Sequence, residues 1–283
     1  VIPIEYERGL DFNGIFAFVC KKIDSEEKFG LIDSVGNVVI PFIYGNSVNY
    51  HGGLIKLQKD GKFGYLDMEG NVFLPFIYES LGFFKDNRTW AKINGKFGYI
   101  NTKGEVIIPF KFDIARAFNT GFVNVKIGDK WGHINTEGKI TTPLIYDYTG
   151  PYNFNGEAGV MRGDKYGLVN EKGEEILPCI YTGIRGFIDG LCVISKKRGS
   201  TGRWGIIDST GKEILPCIYQ EIYAFSEGLA PVRKANMWGL VDTKGKFVAP
   251  CIYNRVGIFR NGKAEINHQG EHFFIDKKGN RIE

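Results

Sequence analysis

The sequence predicts an all-β repeat protein built from eight three-stranded antiparallel units. Three observations predict it: a fixed period near 34 residues, turn chemistry repeated in step with that period, and no sustained helical periodicity. The period is carried by an aromatic-glycine pair. Its leading aromatics are Phe29, Phe63, Phe97, Trp131, Tyr166, Trp204, Trp238 and Phe273, at spacings of 34, 34, 34, 35, 38, 34 and 35. Only the last lacks its glycine, with Phe274 in its place. Prolines recur in step at Pro3, Pro41, Pro75, Pro109, Pro143, Pro178, Pro216 and Pro250, each followed three residues on by Tyr or Phe. A unit of this length cannot bury its apolar face alone and must stack on its neighbours.

Each unit reads as a meander. Strand A is a short, partly alternating segment such as Phe122 to Ile127. It ends in a Gly/Asn/Asp pair, as at Asp60-Gly61 or Asn94-Gly95, and residues that accept positive φ there make a tight hairpin. Strand B is the aromatic-glycine segment. It closes on Asp/Asn-x-x-Gly in all eight units, from Asp33 to Gly36 through Asp276 to Gly279. The Asp or Asn side chain can bond the backbone ahead of it, and the glycine suits a left-handed position. Strand C, such as Asn71 to Tyr78, is almost wholly apolar and is expected to be buried on both faces. A connection of about ten residues returns to the next strand A. It carries an aromatic six positions after the Tyr, at Phe12, Tyr50, Phe84, Phe118, Phe187, Phe225 and Phe259, with Phe154 displaced.

The chain opens on VIPIEY, which aligns with VIPFIY at 39–44, and closes on KKGNRIE, which aligns with 34–40. The two ends together complete an eighth unit, so residues 1–283 are expected to form one domain closed as a propeller-like ring. Closure removes an exposed sheet edge. An open β-solenoid is the alternative.

The segments at 130–143 (KWGHINTEGKITTP), 202–216 (GRWGIIDSTGKEILP) and 228–250 (GLAPVRKANMWGLVDTKGKFVAP) resemble the bacterial WG-repeat, or KWG-repeat, proteins. The resemblance runs along the whole chain. It implies a binding or scaffolding module and supplies no catalytic residue.

Composition narrows the partner. A balance of 36 basic to 32 acidic residues is too mild to announce nucleic acid. No apolar run is long enough for a transmembrane helix. No phosphate loop or nucleophile elbow occurs, so no cofactor and no enzymatic activity is expected. The five cysteines lack metal or redox spacing, and Cys179, Cys217 and Cys251 stand where Phe42, Phe76 and Phe110 stand in other units, which makes them apolar substitutes. The four histidines have no ligand spacing, His268 and His272 flanking a hairpin turn. The Asp/Asn-x-x-Gly turns offer too few oxygens each for calcium.

Two sets of residues are candidates for contact with a protein or peptide partner. The residue before strand B is Lys28, Lys62, Lys96, Lys130, Lys165 and Arg203, then Met237 and His272. On a ring these form a basic crown able to concentrate an acidic ligand. The second set is the thickened connection with Tyr148, Tyr152 and Phe154, whose rings offer contact area at small entropic cost. Further departures from the pattern are four-residue insertions in the A–B hairpin at Asp24 to Glu27 and at Arg198 to Thr201. Carbohydrate recognition through aromatic loops is the second reading, for which exposed rings flanked by Asp or Asn are the sign. A broad apolar face is the sign of a protein partner.

Overall fold

The repeat is realised as a string of small antiparallel sheets with one internal plan. The computed structural model describes residues 6–9, 16–196 and 203–282. The chain divides into two compact units, residues 1–144 and 145–283. Among the described residues every regular element is a β-strand. The first-terminal segment expected to complete a unit, Phe12, and the insertion at 198–201 lie outside the described residues.

The expected three-stranded sheet is kept at Phe122–Ile127, Lys130–Asn135 and Ile140–Tyr146, whereas five of the other described sheets have four strands. In the third repeat a two-residue strand, Ser80–Leu81, pairs with strand A, Arg88–Ile93. Strand B, Lys96–Asn101, and strand C, Val106–Phe112, follow in order. The sequence hides the short strand because two residues carry no periodicity. It exists because the chain leaving strand C meets the next strand A at once: Glu79 N–H donates to Lys92 O at 2.9 Å and Gln220 N–H to Arg233 O at 2.8 Å.

The hairpins follow the expected turn chemistry. Lys59 pairs with Lys62 across Asp60 and Gly61, both at positive φ. The insertion at Asp24 to Glu27 adds no loop. Ile23 pairs with Glu26 across Asp24-Ser25, so the extra residues lengthen both strands to eight. The Asx turn is equally regular. Asp67 Oδ1 accepts from Glu69 N at 3.0 Å and from Asn71 N at 2.8 Å, and Gly70 N donates to Asp67 O at 3.2 Å with Gly70 at φ 87°. These bonds hold the Asp67 carboxyl below its ordinary value, the amide of Asn71 first among the causes. The same bonds recur at Asn101, Asp208 and Asp276.

The aromatic-glycine pair is explained by the B–C register. Phe97 pairs with Phe112 and Tyr99 with Ile108, so Gly98 alone faces three residues of a bulged strand C. The bulge pushes the carbonyl before the proline over the glycine. A Cβ on Gly30, Gly64, Gly98, Gly132, Gly167, Gly205 or Gly239 would lie 2.5 to 2.8 Å from that oxygen.

The final repeat needs a different alignment. Asn267 pairs with His272 and Ile266 with Phe273, where Arg233 pairs with Trp238 and Val232 with Gly239 in the repeat before. His272 therefore takes the aromatic's place, Phe273 the glycine's, and Glu271 the place of the basic residue. Phe273 fits because the last described strand, Arg281–Ile282, pairs only with Phe274 and Ile275, so no described bulge covers it. The short histidine ring concealed this register in the sequence.

Cores form between consecutive repeats. Tyr99, Ile108 and Phe112 of one pack with Ala115, Phe118, Val123, Val125 and Ile134 of the next. Leu191, Val193, Ile206, Leu215 and Tyr219 likewise meet Ile222, Ala230, Val232 and Val241. The aromatic three residues after each proline anchors these layers, with Tyr78, Phe112, Tyr146 and Tyr219 all buried. Strand C departs from its expected double burial. Leu74 and Tyr78 are buried, whereas Val72, Pro75 and Ile77 are exposed. The reason is position, since strand C is the outer strand of its sheet and keeps only one face for the core. Cys192 is fully buried, and burial pushes its thiol up to about 12. Cys217 and Cys251 are half-buried and pack against the cores as apolar groups.

One layer carries an unmet hydrogen bond. Tyr146 Oη donates to Glu175 Oε1 at 2.9 Å, whereas the matching pair one repeat earlier is Phe112 and Ile140, which cannot make this bond. Thr141 Oγ1 is buried with no hydrogen-bond partner among the described residues.

Candidate functional site

The basic crown is largely neutralised where it stands. Lys28 Nζ lies 2.6 Å from Glu26, Lys62 Nζ 3.8 Å from Glu79, and Lys165 Nζ 3.7 Å from Asp164. Lys96 pairs with Asp113, which also accepts from Gly128 N at 2.7 Å. Lys96 and then the Gly128 amide hold the Asp113 carboxyl below its usual range. Asp113 follows strand C and ties its repeat to the hairpin of the next. Glu79 does the same, accepting from Gly95 N at 3.0 Å. Lys130 is exposed at the start of its strand, and Arg203 is half-buried directly before Trp204. With Glu271 rather than His272 in the final repeat, and Met237 before it, the crown is not a continuous positive surface.

The three aromatics of the thickened connection occupy different environments. Tyr152 stands six residues after Tyr146 and is therefore the regular connection aromatic. It is buried, with its hydroxyl donating to Asn170 O at 3.0 Å, and so is not a surface contact. Tyr148 is half-exposed on the short strand Tyr148–Thr149. Phe154 is the true addition and is fully exposed. It rides on an extra Asx turn in which Asn153 Oδ1 accepts from Asn155 N at 2.9 Å and Glu157 N at 3.0 Å.

A separate cavity lies in the second compact unit. It holds about 800 Å³ and is lined by the rings of Tyr223, Trp238 and Phe274 together with Arg255, Arg260 and Lys263. Tyr223 and Trp238 meet at 4.8 Å between centroids with their planes 46° apart. Lys263 Nζ sits 4.5 Å over Phe274. Arg255 and Arg260 are exposed, and no side-chain hydrogen bond or ion pair to either occurs among the described residues. Glu265 is the one carboxylate of the lining, and its Oε1 lies 3.0 Å from His272 Nδ1.

Local sequence makes this hollow. Four residues after the aromatic that closes strand C, Arg185 stacks on Trp204 at 4.5 Å and Tyr223 on Trp238. The same position in the final repeat is Gly257, which adds no side chain to fill the space. The only sequence signal was three cations, Arg255, Arg260 and Lys263, inside nine residues of one connection. Among the described residues no three His, Cys, Asp or Glu side chains gather as metal ligands.

With the glycine, its bulge and the Asx turn recurring through the chain, the family comparison has a physical counterpart. The model of the WG containing repeat matches seven consecutive segments, 29–63, 63–97, 97–131, 131–166, 166–198, 204–238 and 238–271. The chain belongs to the WG-repeat family. A comparison with curated proteins gave no match. Among solved structures, the WG-repeat chain is similar to a eukaryotic initiation factor, at 12% identity over 95% of this chain and 80% of that one, TM-score 0.40. It is also similar to Hsv2 of Kluyveromyces lactis, at 9% identity over 95% of each chain, TM-score 0.34. A third is the β-propeller domain of the Trilobed protease from Pyrococcus furiosus, at 12% identity over 87% and 99%, TM-score 0.33. These overlaps are too low to carry any argument about activity.

Proposed function

We propose that this WG-repeat chain is a non-catalytic binding module that engages a protein or peptide partner. One observation supports the reading. The residue before the aromatic that closes strand C is isoleucine in Ile43, Ile77, Ile145, Ile180, Ile218 and Ile252, and each is 42 to 53% exposed. A large β-branched side chain left half in water at one repeat position is what a partner with apolar side chains of its own would desolvate. The neutralised crown adds little to this reading. The eight-unit ring expected from the sequence, folded as a single domain, belongs to the same proposal, with the unbroken repeat as its support.

The test is capture from lysate of the source cell, with the chain beside its Ile180→Ser/Ile218→Ser/Ile252→Ser variant. Exposed substitutions of this kind shift stability by only about 0.5 kcal/mol each, so the variant stays folded. A stoichiometric protein held by the parent and lost by the variant is expected. Equal capture by both, or none by either, overturns the reading.

A further inference from the structure

We propose that the cavity between Tyr223 and Phe274 is a binding site for an acidic carbohydrate, a saccharide carrying carboxylate or sulfate groups. This inference stands independently of the isoleucine row.

Four features of the lining fix the chemistry of the ligand. The volume, about 800 Å³, lies in the range of small-ligand sites and suits two or three sugar rings. The rings of Tyr223 and Trp238 are half-exposed, and their 46° tilt makes a corner rather than a parallel slot. A corner suits the puckered, C–H-lined face of a sugar better than a flat base, which needs parallel stacking. Arg255 and Arg260 bring two guanidinium forks without partners among the described residues, and such forks match carboxylate and sulfate oxygens in pairs. Lys263 adds a third positive charge on Phe274.

Glu265 completes the argument. A carboxylate accepts hydrogen bonds and donates none, so in a cavity it calls for ligand donors such as hydroxyls and repels a bare polyanion. His272 holds one of its oxygens in place. The amides of Asn254 and Asn261, also in the lining, add hydroxyl partners, and Asn254 is oriented by Gln269 N donating to its Oδ1 at 2.7 Å. An apolar ring face, several hydroxyls and one or two anionic groups together describe an acidic sugar.

The experiment is calorimetric titration of the whole chain with trigalacturonate, a sulfated disaccharide, maltotriose, inorganic sulfate and adenosine monophosphate. Trigalacturonate or the sulfated disaccharide is expected to bind at least tenfold more tightly than maltotriose. The Arg255→Ala/Arg260→Ala variant, altered only at exposed side chains, is expected to lose at least tenfold of that affinity while keeping its circular dichroism and melting temperature. Raising salt from 0.05 to 0.5 M is expected to weaken binding in the parent and much less in the variant. The proposal is overturned if neither acidic saccharide binds, or if the double variant binds as the parent does. Tighter binding of adenosine monophosphate, or of sulfate alone, than of either saccharide also overturns it.

Discussion

Gly132→Ala is expected to cost about 3 kcal/mol of stability, read as a fall in the urea midpoint of the whole chain. The added methyl carbon would lie 2.5 Å from Thr142 O and 3.0 Å from the carbonyl of Pro143. Both obstacles are backbone, so neither can turn aside as a side-chain tip would. Relief requires strand C to leave its bulge, and the bulge is what points Thr142 inward, where it is fully buried. Gly159→Ala is the matched control. It too sits in a strand of a WG repeat, but its added carbon meets nothing within 4 Å. That change is expected to stay within about 0.5 kcal/mol of the parent. Equal losses at the two glycines would show that strand propensity, not the overhead carbonyl, requires glycine in the WG pair.

Phe112→Ala is expected to cost about 3 to 5 kcal/mol, because it empties a wholly buried ring site in a layer shared by two repeats. The neighbours that would have to collapse are Tyr99, fixed by its hydroxyl on Arg116 O at 2.7 Å, and Phe118, whose ring lies 4.8 Å from that of Tyr99. They cannot close the gap without breaking that bond. Chemical denaturation measures the loss. A loss below about 1 kcal/mol would show that the layer between repeats is loosely packed and that repeat coupling lies elsewhere.

Much of the fold was legible because it is local. Gly61 and Gly95 follow residues that accept positive φ, and the Asx oxygens of Asp67 and Asn101 reach amides two and four residues on, so a short window of sequence contains each whole interaction. The two-residue strand at Ser80–Leu81 was illegible because its existence depends on a partner strand, not on its own residues. Strand C misled for a related reason. Apolar content alone does not say whether a strand lies inside a sheet or at its rim, and Ile77 and Ile180 lie at the rim. Tyr152 and Phe154 were exchanged in role because the extra turn at Asn153 was read as moving the regular aromatic rather than as adding a second one.

The candidate site was less legible than the frame. A lysine ahead of an aromatic-glycine pair reads as free positive charge until the carboxylate after strand C is seen across from it, as Asp113 is from Lys96. The cavity shows the converse. Arg255 and Arg260 look like ordinary surface cations in the sequence, and only the hollow above Gly257 sets them beside Tyr223 and Trp238.

The sequence by itself determined the repeat, its family, its strands A, B and C and its turns, since these rest on hydrogen bonds and backbone angles confined to a few residues. Tertiary structure alone decided the fourth strand, the exposed isoleucine row, the register of the final repeat and the basic cavity. Each of these is set by what a neighbouring repeat places opposite a residue, and burial, ion pairing and empty space are properties of that meeting.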